Sequence, residues 1–187
     1  AGGLDLDDEQ AVRAYVEALP LHLRGSWGGN TTCVEIRNNA GDLLIIDAGT
    51  GIRELGQHLL STEFGRGQGH AAIAFTHPHW DHIQGFPFFV PLFIPGNRFE
   101  LYACHDNLEE RLRYQQAPKF FPATLEMMAA DKTFHQMLPT MDLFDGRMRI
   151  HAMEMDHPGQ AFAYRVECDG HSMVMATDAE YRDLVGD

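Results

Sequence analysis

The chain is short of cations, cysteines and long apolar runs. Its 187 residues hold 14 Lys and Arg against 27 Asp and Glu, a formal net charge of −13. Such a balance repels phosphate backbones and argues against a large nucleic-acid footprint, though not against a small phosphoester held at a local cationic site. No apolar run approaches membrane-span length. The densest stretch, Phe86 to Ile94, is interrupted by Pro87 and Pro91. The start carries no secretory-signal pattern. Cys33, Cys104 and Cys168 have no metal-type or redox-type spacing. They are expected in strands as small buried residues, and an odd, motif-free count points to a reducing, cytoplasmic setting. No Gly-x-Ser-x-Gly element offers a serine nucleophile.

What remains is ordinary for a globular chain, with 44% hydrophobic and 22% charged residues. The length predicts one domain over residues 1–187 with a real core. Residues 1–25 read as an N-terminal helical segment, with Asp7-Asp8-Glu9 in a first turn and Pro20 as its end. Residues 32–37 and 42–47 read as a hairpin about Asn38-Asn39-Ala40-Gly41. A helix follows the Gly49-Thr50-Gly51 loop, with Ile52, Leu55, Leu59 and Leu60 on one face. Residues 71–75, 99–104, 148–155, 162–168 and 172–176 read as strands, and residues 107–116 as a helix. Residues 105–140 are irregular from Ala117 onward and read as an insertion at an active-site mouth, with an ordinary packed connection as the alternative. The Phe-rich and Pro-rich stretch from Gln84 to Gly96, with Trp80 and Phe86, is read as core before pocket wall. Spacing alone gives an α/β class.

The chemistry concentrates in Thr76-His77-Pro78-His79-Trp80-Asp81-His82, which follows the apolar run Ala71 to Phe75. Three imidazoles and a carboxylate within six positions form a ligand set that zinc, iron and manganese accept. On extended backbone His77 and His79 project the same way. Asp178 ends an apolar strand, where an unpaired carboxylate is costly. Read alone, His157 also fits a turn histidine, Asp178 an N-cap for residues 179–184, and Asp47 a strand-end turn residue.

His-x-His-x-Asp-His after a strand resembles the signature of the metallo-β-lactamase fold superfamily. Gly28-Gly29-Asn30-Thr31-Thr32 and Asp47-Ala48-Gly49-Thr50-Gly51 resemble motifs of its phosphodiesterase-like and tRNA 3′-processing-nuclease-like branch. His157-Pro158-Gly159 and Ala176-Thr177-Asp178 resemble the motifs that bring a third histidine and a bridging aspartate. The resemblance implies an αββα sandwich, complete or in part. It implies two divalent metal ions, zinc first and manganese or iron as alternatives. His77, His79 and His157 would hold one ion, Asp81 and His82 the other, and Asp178 would bridge them. Asp47 would orient a ligand from behind. The implied activity is hydrolysis of a small-molecule phosphodiester by a metal-bridging hydroxide, with Asp81 and Asp178 as catalytic residues. An RNA-processing nuclease and a non-hydrolytic metal or redox sensor are the alternatives. The expected partner is the phosphoester substrate, not nucleic acid or membrane, and a homodimer is an admissible assembly. The branch's Gly-x-Arg-Gly-Ser-like start is matched only by Arg24-Gly25-Ser26. Its further histidine beyond the bridging aspartate has no counterpart, so the chain is expected to be truncated at both ends and its second site weaker. His105 is a candidate substrate contact or replacement ligand.

Overall fold

Runs of branched apolar residues build two sheets, and their alternation determines which face meets which layer. The computed structural model describes residue 5, residues 7–19 and residues 29–180. The first sheet orders β1 (Val34–Arg37), β2 (Leu43–Ile46), β3 (His70–Phe75), β4 (Arg98–Ala103) and β5 (Asp131–Gln136) side by side. β1 runs antiparallel to β2, and the other pairs are parallel. The second sheet is an antiparallel meander of β6 (Thr140–Leu143), β7 (Met148–Met155), β8 (Ala161–Cys168) and β9 (His171–Met175).

β2 is buried along its whole length, as a central strand covered on both faces must be. Leu43 and Ile45 point to one side, where they pack with Ile52, Leu59, Phe86, Phe89 and Leu112. Leu44 and Ile46 point to the other and meet Leu143, Met148, Ile150 and Tyr164 of the second sheet. The first side is therefore a helical layer, containing α2 (Gly51–Leu59), α3 (Trp80–Ile83) and α4 (Leu108–Gln115). The second side is the sheet–sheet interface. The outer face of the second sheet exposes Met153 and Val174. Among the described residues, no helix is long and apolar enough to cross a membrane.

The hairpin of β1 and β2 and the helix after Gly49 form as the sequence predicts. α1 (Glu9–Ala18) is capped by the Asp8 carboxylate, which accepts from Gln10 N and Ala11 N, and it buries none of its residues. Pro20, Arg24-Gly25-Ser26, Gly28 and residues 181–184 lie outside the described residues. Three readings change. Residues 131–136 form β5, paired in parallel with β4, where an irregular insertion was expected. Its half-exposed, polar alternation suits a sheet edge and hides the strand from a search for apolar runs. Leu125, Met128 and Ala130 join the core, so that part of the segment is a packed connection. Of the cysteines only Cys168 lies in a strand; Cys33 and Cys104 flank strand ends, and all three are partly buried.

Candidate metal centre

The site lies where loops leave the strand ends, the place where an α/β framework can gather side chains from distant positions. β3 ends at Phe75, and Thr76 and His77 continue into a short loop. His79 then stands at the N-cap of α3, which carries Asp81 and His82. His157 comes from the β7–β8 connection, and Asp178 from just beyond β9. These loops are tied together. Glu180 N donates to Asp156 O at 2.7 Å, and Phe162 N donates to Thr76 O at 3.1 Å. Tyr164 drives its hydroxyl into the Phe75 carbonyl at 2.6 Å from the opposite sheet.

Two ligand groups result, and they share one residue. His77, His79, His157 and Asp178 form one cluster; Asp81, His82 and Asp178 form the other. One donor atom of each residue lies within 4.8 Å of the others in its group. Asp178 Oδ2 is the common point, 3.4 Å from His77 Nε2, 3.2 Å from His82 Nε2 and 3.8 Å from His157 Nε2. Its other oxygen accepts from the Thr177 hydroxyl at 2.8 Å.

A buried scaffold sets the tautomers behind this cluster. Asp47 is wholly buried and accepts from Thr76 N, Thr76 Oγ1 and His82 Nδ1 at 2.7, 2.8 and 2.7 Å. The Thr76 hydroxyl, having donated to Asp47, faces His77 Nδ1 at 3.1 Å as an acceptor. Assigned from these partners, both rings carry their proton on Nδ1 and aim an Nε2 lone pair into the cluster. Asp47 and Asp178 both adopt left-handed backbone, φ 63° and 49°, a conformation aspartate tolerates better than most residues but seldom adopts without cause. Gly49 locks the loop beyond Asp47 against the ligand segment. A Cβ there would lie 2.4 Å from the Asp81 carbonyl.

These atoms fit a divalent cation better than they fit each other. His82 Nε2 faces Asp178 Oδ2 at 3.2 Å and Asp81 Oδ2 at 3.4 Å. His79 Nδ1 is approached by both His77 Nε2 at 3.0 Å and His157 Nε2 at 3.1 Å. One proton cannot serve two such approaches, whereas one cation draws in every lone pair. Nitrogen ligands of tetrahedral zinc stand about 3.4 Å apart, close to these separations. Titration shifts follow the same crowding. Burial, then repulsion from His82, His79 and His157, pushes His77 down to about 4, which keeps it neutral and able to ligate. Burial works to lower His82, but the Asp47 hydrogen bond and charge, with Asp178 and Asp81, raise it. Burial raises Asp47 despite its three donors. Burial also opposes ionisation of Asp178, yet the Thr177 hydrogen bond and the histidine charges hold it below the usual range.

The six ligands and the orienting Asp47 that the resemblance implies are thus brought into one assembly. Thr76 was passed over, although it links Asp47 to two of the histidines; its place immediately before the first histidine was the only signal. His105 is not in the cluster. Its Nε2 sits against the Gly159 and Gln160 carbonyls, so it braces the loop that carries His157. Trp80 is not core: it is 65% exposed, whereas Phe86 is fully buried. His135 pairs with Glu100 and stacks on Tyr102, away from the cluster.

A two-sheet α/β framework with a His/Asp cluster at its strand ends defines a class of protein built to hold metal. Residues 43–186 match the family described as "Beta-lactamase superfamily domain". The chain belongs to this family, within the metallo-β-lactamase fold superfamily. Solved structures agree on the fold. The metallo-beta-lactamase fold protein YhfI from Bacillus subtilis is 18% identical, with a TM-score of 0.60 over 85% of this chain and 59% of that one. Human tRNase Z, short form, is 16% identical with a TM-score of 0.55, covering 83% of this chain and 66% of that one. Unliganded yeast PDE1 is 11% identical with a TM-score of 0.56, covering 85% and 64%. The chain spans less than two thirds of the length of each. No curated protein matches it in sequence.

Proposed function

We propose that this domain is a dinuclear metal-dependent hydrolase of phosphodiesters in small molecules. The observation that carries the reading is the single oxygen Asp178 Oδ2, which faces histidines of both ligand groups at 3.2–3.8 Å. A carboxylate so placed suits a pair of cations better than one. When bound, such a pair lowers the pKa of a shared water and neutralises charge on a phosphoryl oxygen.

The protein's own part is orientation and exclusion. Thr76 and Asp47 hold His77 and His82 in the ligating tautomer. Asp81 is the exposed member of the second ligand group. The His77 and His82 rings are fully buried, whereas His79 and Asp81 are exposed and His157 and Asp178 partly so, so the centre opens on the side of those four residues. The absence of a serine nucleophile motif in the sequence agrees with a nucleophile drawn from water.

The net charge of −13 favours a small substrate over a polynucleotide. Zinc is the first expectation, since imidazole and carboxylate suit it, and manganese the second. The test is hydrolysis of bis-p-nitrophenyl phosphate by the full chain loaded with zinc or manganese. Metal-dependent turnover that is abolished in His79→Ala is the expected result. Absence of turnover with both groups metal-loaded contradicts the reading.

A further inference from the structure

Beside the ligand cluster lies a recess of about 770 Å³, lined in part by His79 and by Gly159 of the His157 loop. Its lining includes Pro78, Trp80 and Ile83 from the α3 segment and Glu110, Tyr114 and Ala117 from the α4 segment. Two of its large aromatic side chains are open to solvent, Trp80 at 65% and Tyr114 at 61% exposure. Two exposed rings lining one hollow beside the cluster offer an apolar surface to a ligand. Volume and lining match an ordinary small-molecule pocket, apolar with a few polar groups.

The walls are fixed in place. Gln115 Nε2 donates to the Ile83 carbonyl at 2.9 Å, so α4, which carries Tyr114, is pinned to α3, which carries Trp80. Lys119 lies 4.8 Å from the ring centres of both Tyr114 and Phe120, and those two rings meet edge to face at 5.6 Å. Tyr114 lines the recess, whereas Lys119 and Phe120 do not. Arg113 is committed to Glu109 at 2.7 Å and to Glu126. Arg111, also in the lining, donates its Nε to the Asp106 carbonyl at 3.2 Å. A flat ring entering between Trp80 and Tyr114 would gain stacking area and displace poorly held water. Its anionic end would be left beside His79.

We infer that this recess is a specificity subsite for a flat aromatic group on the substrate, joined to the phosphoryl group that the metal centre receives. The inference rests on the phosphoester reading above. It makes the substrate class an aryl-bearing phosphoester, as opposed to a simple alkyl one. Trp80 and Tyr114 are the residues that select it, and neither touches the reacting atoms.

Binding, independent of turnover, tests this. Phenylphosphonate and methylphosphonate are titrated calorimetrically into the zinc-loaded full chain. The wild type is expected to favour the phenyl compound by about tenfold, the range a stacked ring contributes. In Tyr114→Ala, and separately in Trp80→Ala, that ratio should fall to about twofold or less. Phe88→Ala serves as control, because Phe88 is a similarly exposed ring lining a different hollow. It should leave the ratio as in the wild type. Equal binding of the two phosphonates by the wild type overturns the subsite while leaving the phosphoester reading intact. So does a preference that survives both pocket substitutions. Failure of both phosphonates to bind overturns the phosphoester reading, and the subsite with it.

Discussion

Removing the Asp47 carboxylate tests whether the buried scaffold, and not only the ligands, makes the site. Asp47 has no solvent exposure, and its two oxygens satisfy three donors at 2.7–2.8 Å. Two of those donors belong to Thr76 and one to His82, and both side chains are themselves fully buried. Asp47→Ala takes the partner from Thr76 N and leaves His82 Nδ1 with the more distant Thr76 hydroxyl, at 3.4 Å. Each buried unpaired donor costs about 1–3 kcal/mol, and losing a carboxylate that burial already penalises returns part of that sum. Breaking a buried, hydrogen-bonded charge pair costs about 3–5 kcal/mol overall, and we expect that range here. Domains of this size have roughly 5–15 kcal/mol in hand, so the variant should fold but unfold at much lower urea. Asp47→Asn is the gentler probe. It keeps an acceptor for Thr76 N but turns an amide group toward donors. Its effect should appear at the metal: loss of an orienting partner costs about 10–100-fold in affinity. Urea unfolding in chelator gives the stability term, and zinc competition against a chromophoric chelator gives the affinity term. The reasoning is refuted if Asp47→Ala is as stable as the wild type. It is equally refuted if Asp47→Asn binds zinc within about twofold of wild type.

Other consequences are simpler. Gly49→Ala puts a methyl 2.4–2.5 Å from the Asp81 carbonyl, the Thr31 hydroxyl and the Thr32 carbonyl. Overpacking of that kind costs about 1–3 kcal/mol; the urea midpoint should drop, and metal binding by Asp81 and His82 should weaken more than binding by the three-histidine group. Asp42 accepts from Arg147 at 2.6 and 2.9 Å and from Asn38 at 2.7 Å, chiefly through Arg147, which lowers its pKa. A carboxylate depressed in the folded state stabilises above its unfolded value of 3.8 and loses that contribution as pH falls through the lower folded value. Asp42→Asn should therefore be less stable than wild type in urea at neutral pH, and the gap should close as pH falls through the lowered folded value; a gap that does not shrink in acid refutes the pairing.

The ligand set was legible because its chemistry is local. His77, His79, Asp81 and His82 fall within six positions after an apolar strand, and no bland use of such density competes well. Asp47, His157 and Asp178 were legible only through resemblance, since each alone also fits a turn or a cap. Their assembly depends on loops that the two sheets bring together from 35 to 101 positions apart in the chain. β2 and β3 announced themselves by continuous apolar residues, because both faces of a central strand are covered. β5 did not, since Asp131, Lys132 and Gln136 suit a half-exposed edge and carry no apolar period. Trp80 was misread because an aromatic residue in an apolar neighbourhood is usually core; only the position of α4 opposite shows that it lines a recess. The bracing by His105 depends on a contact between residues 54 and 55 positions apart, which no local pattern encodes.

The central claim is that Asp178 joins two metal ions, and metal counting on one variant tests it most directly. Elemental analysis with stepwise chelation and calorimetric back-titration is carried out on the wild type and on Asp178→Ala. The wild type should bind two ions per chain, the one at His77, His79 and His157 more tightly, because it has more protein ligands. Asp178→Ala should weaken both. An Asp178→Ala chain that keeps two ions at wild-type affinity, or a wild type that never exceeds one ion at saturating zinc, contradicts the account.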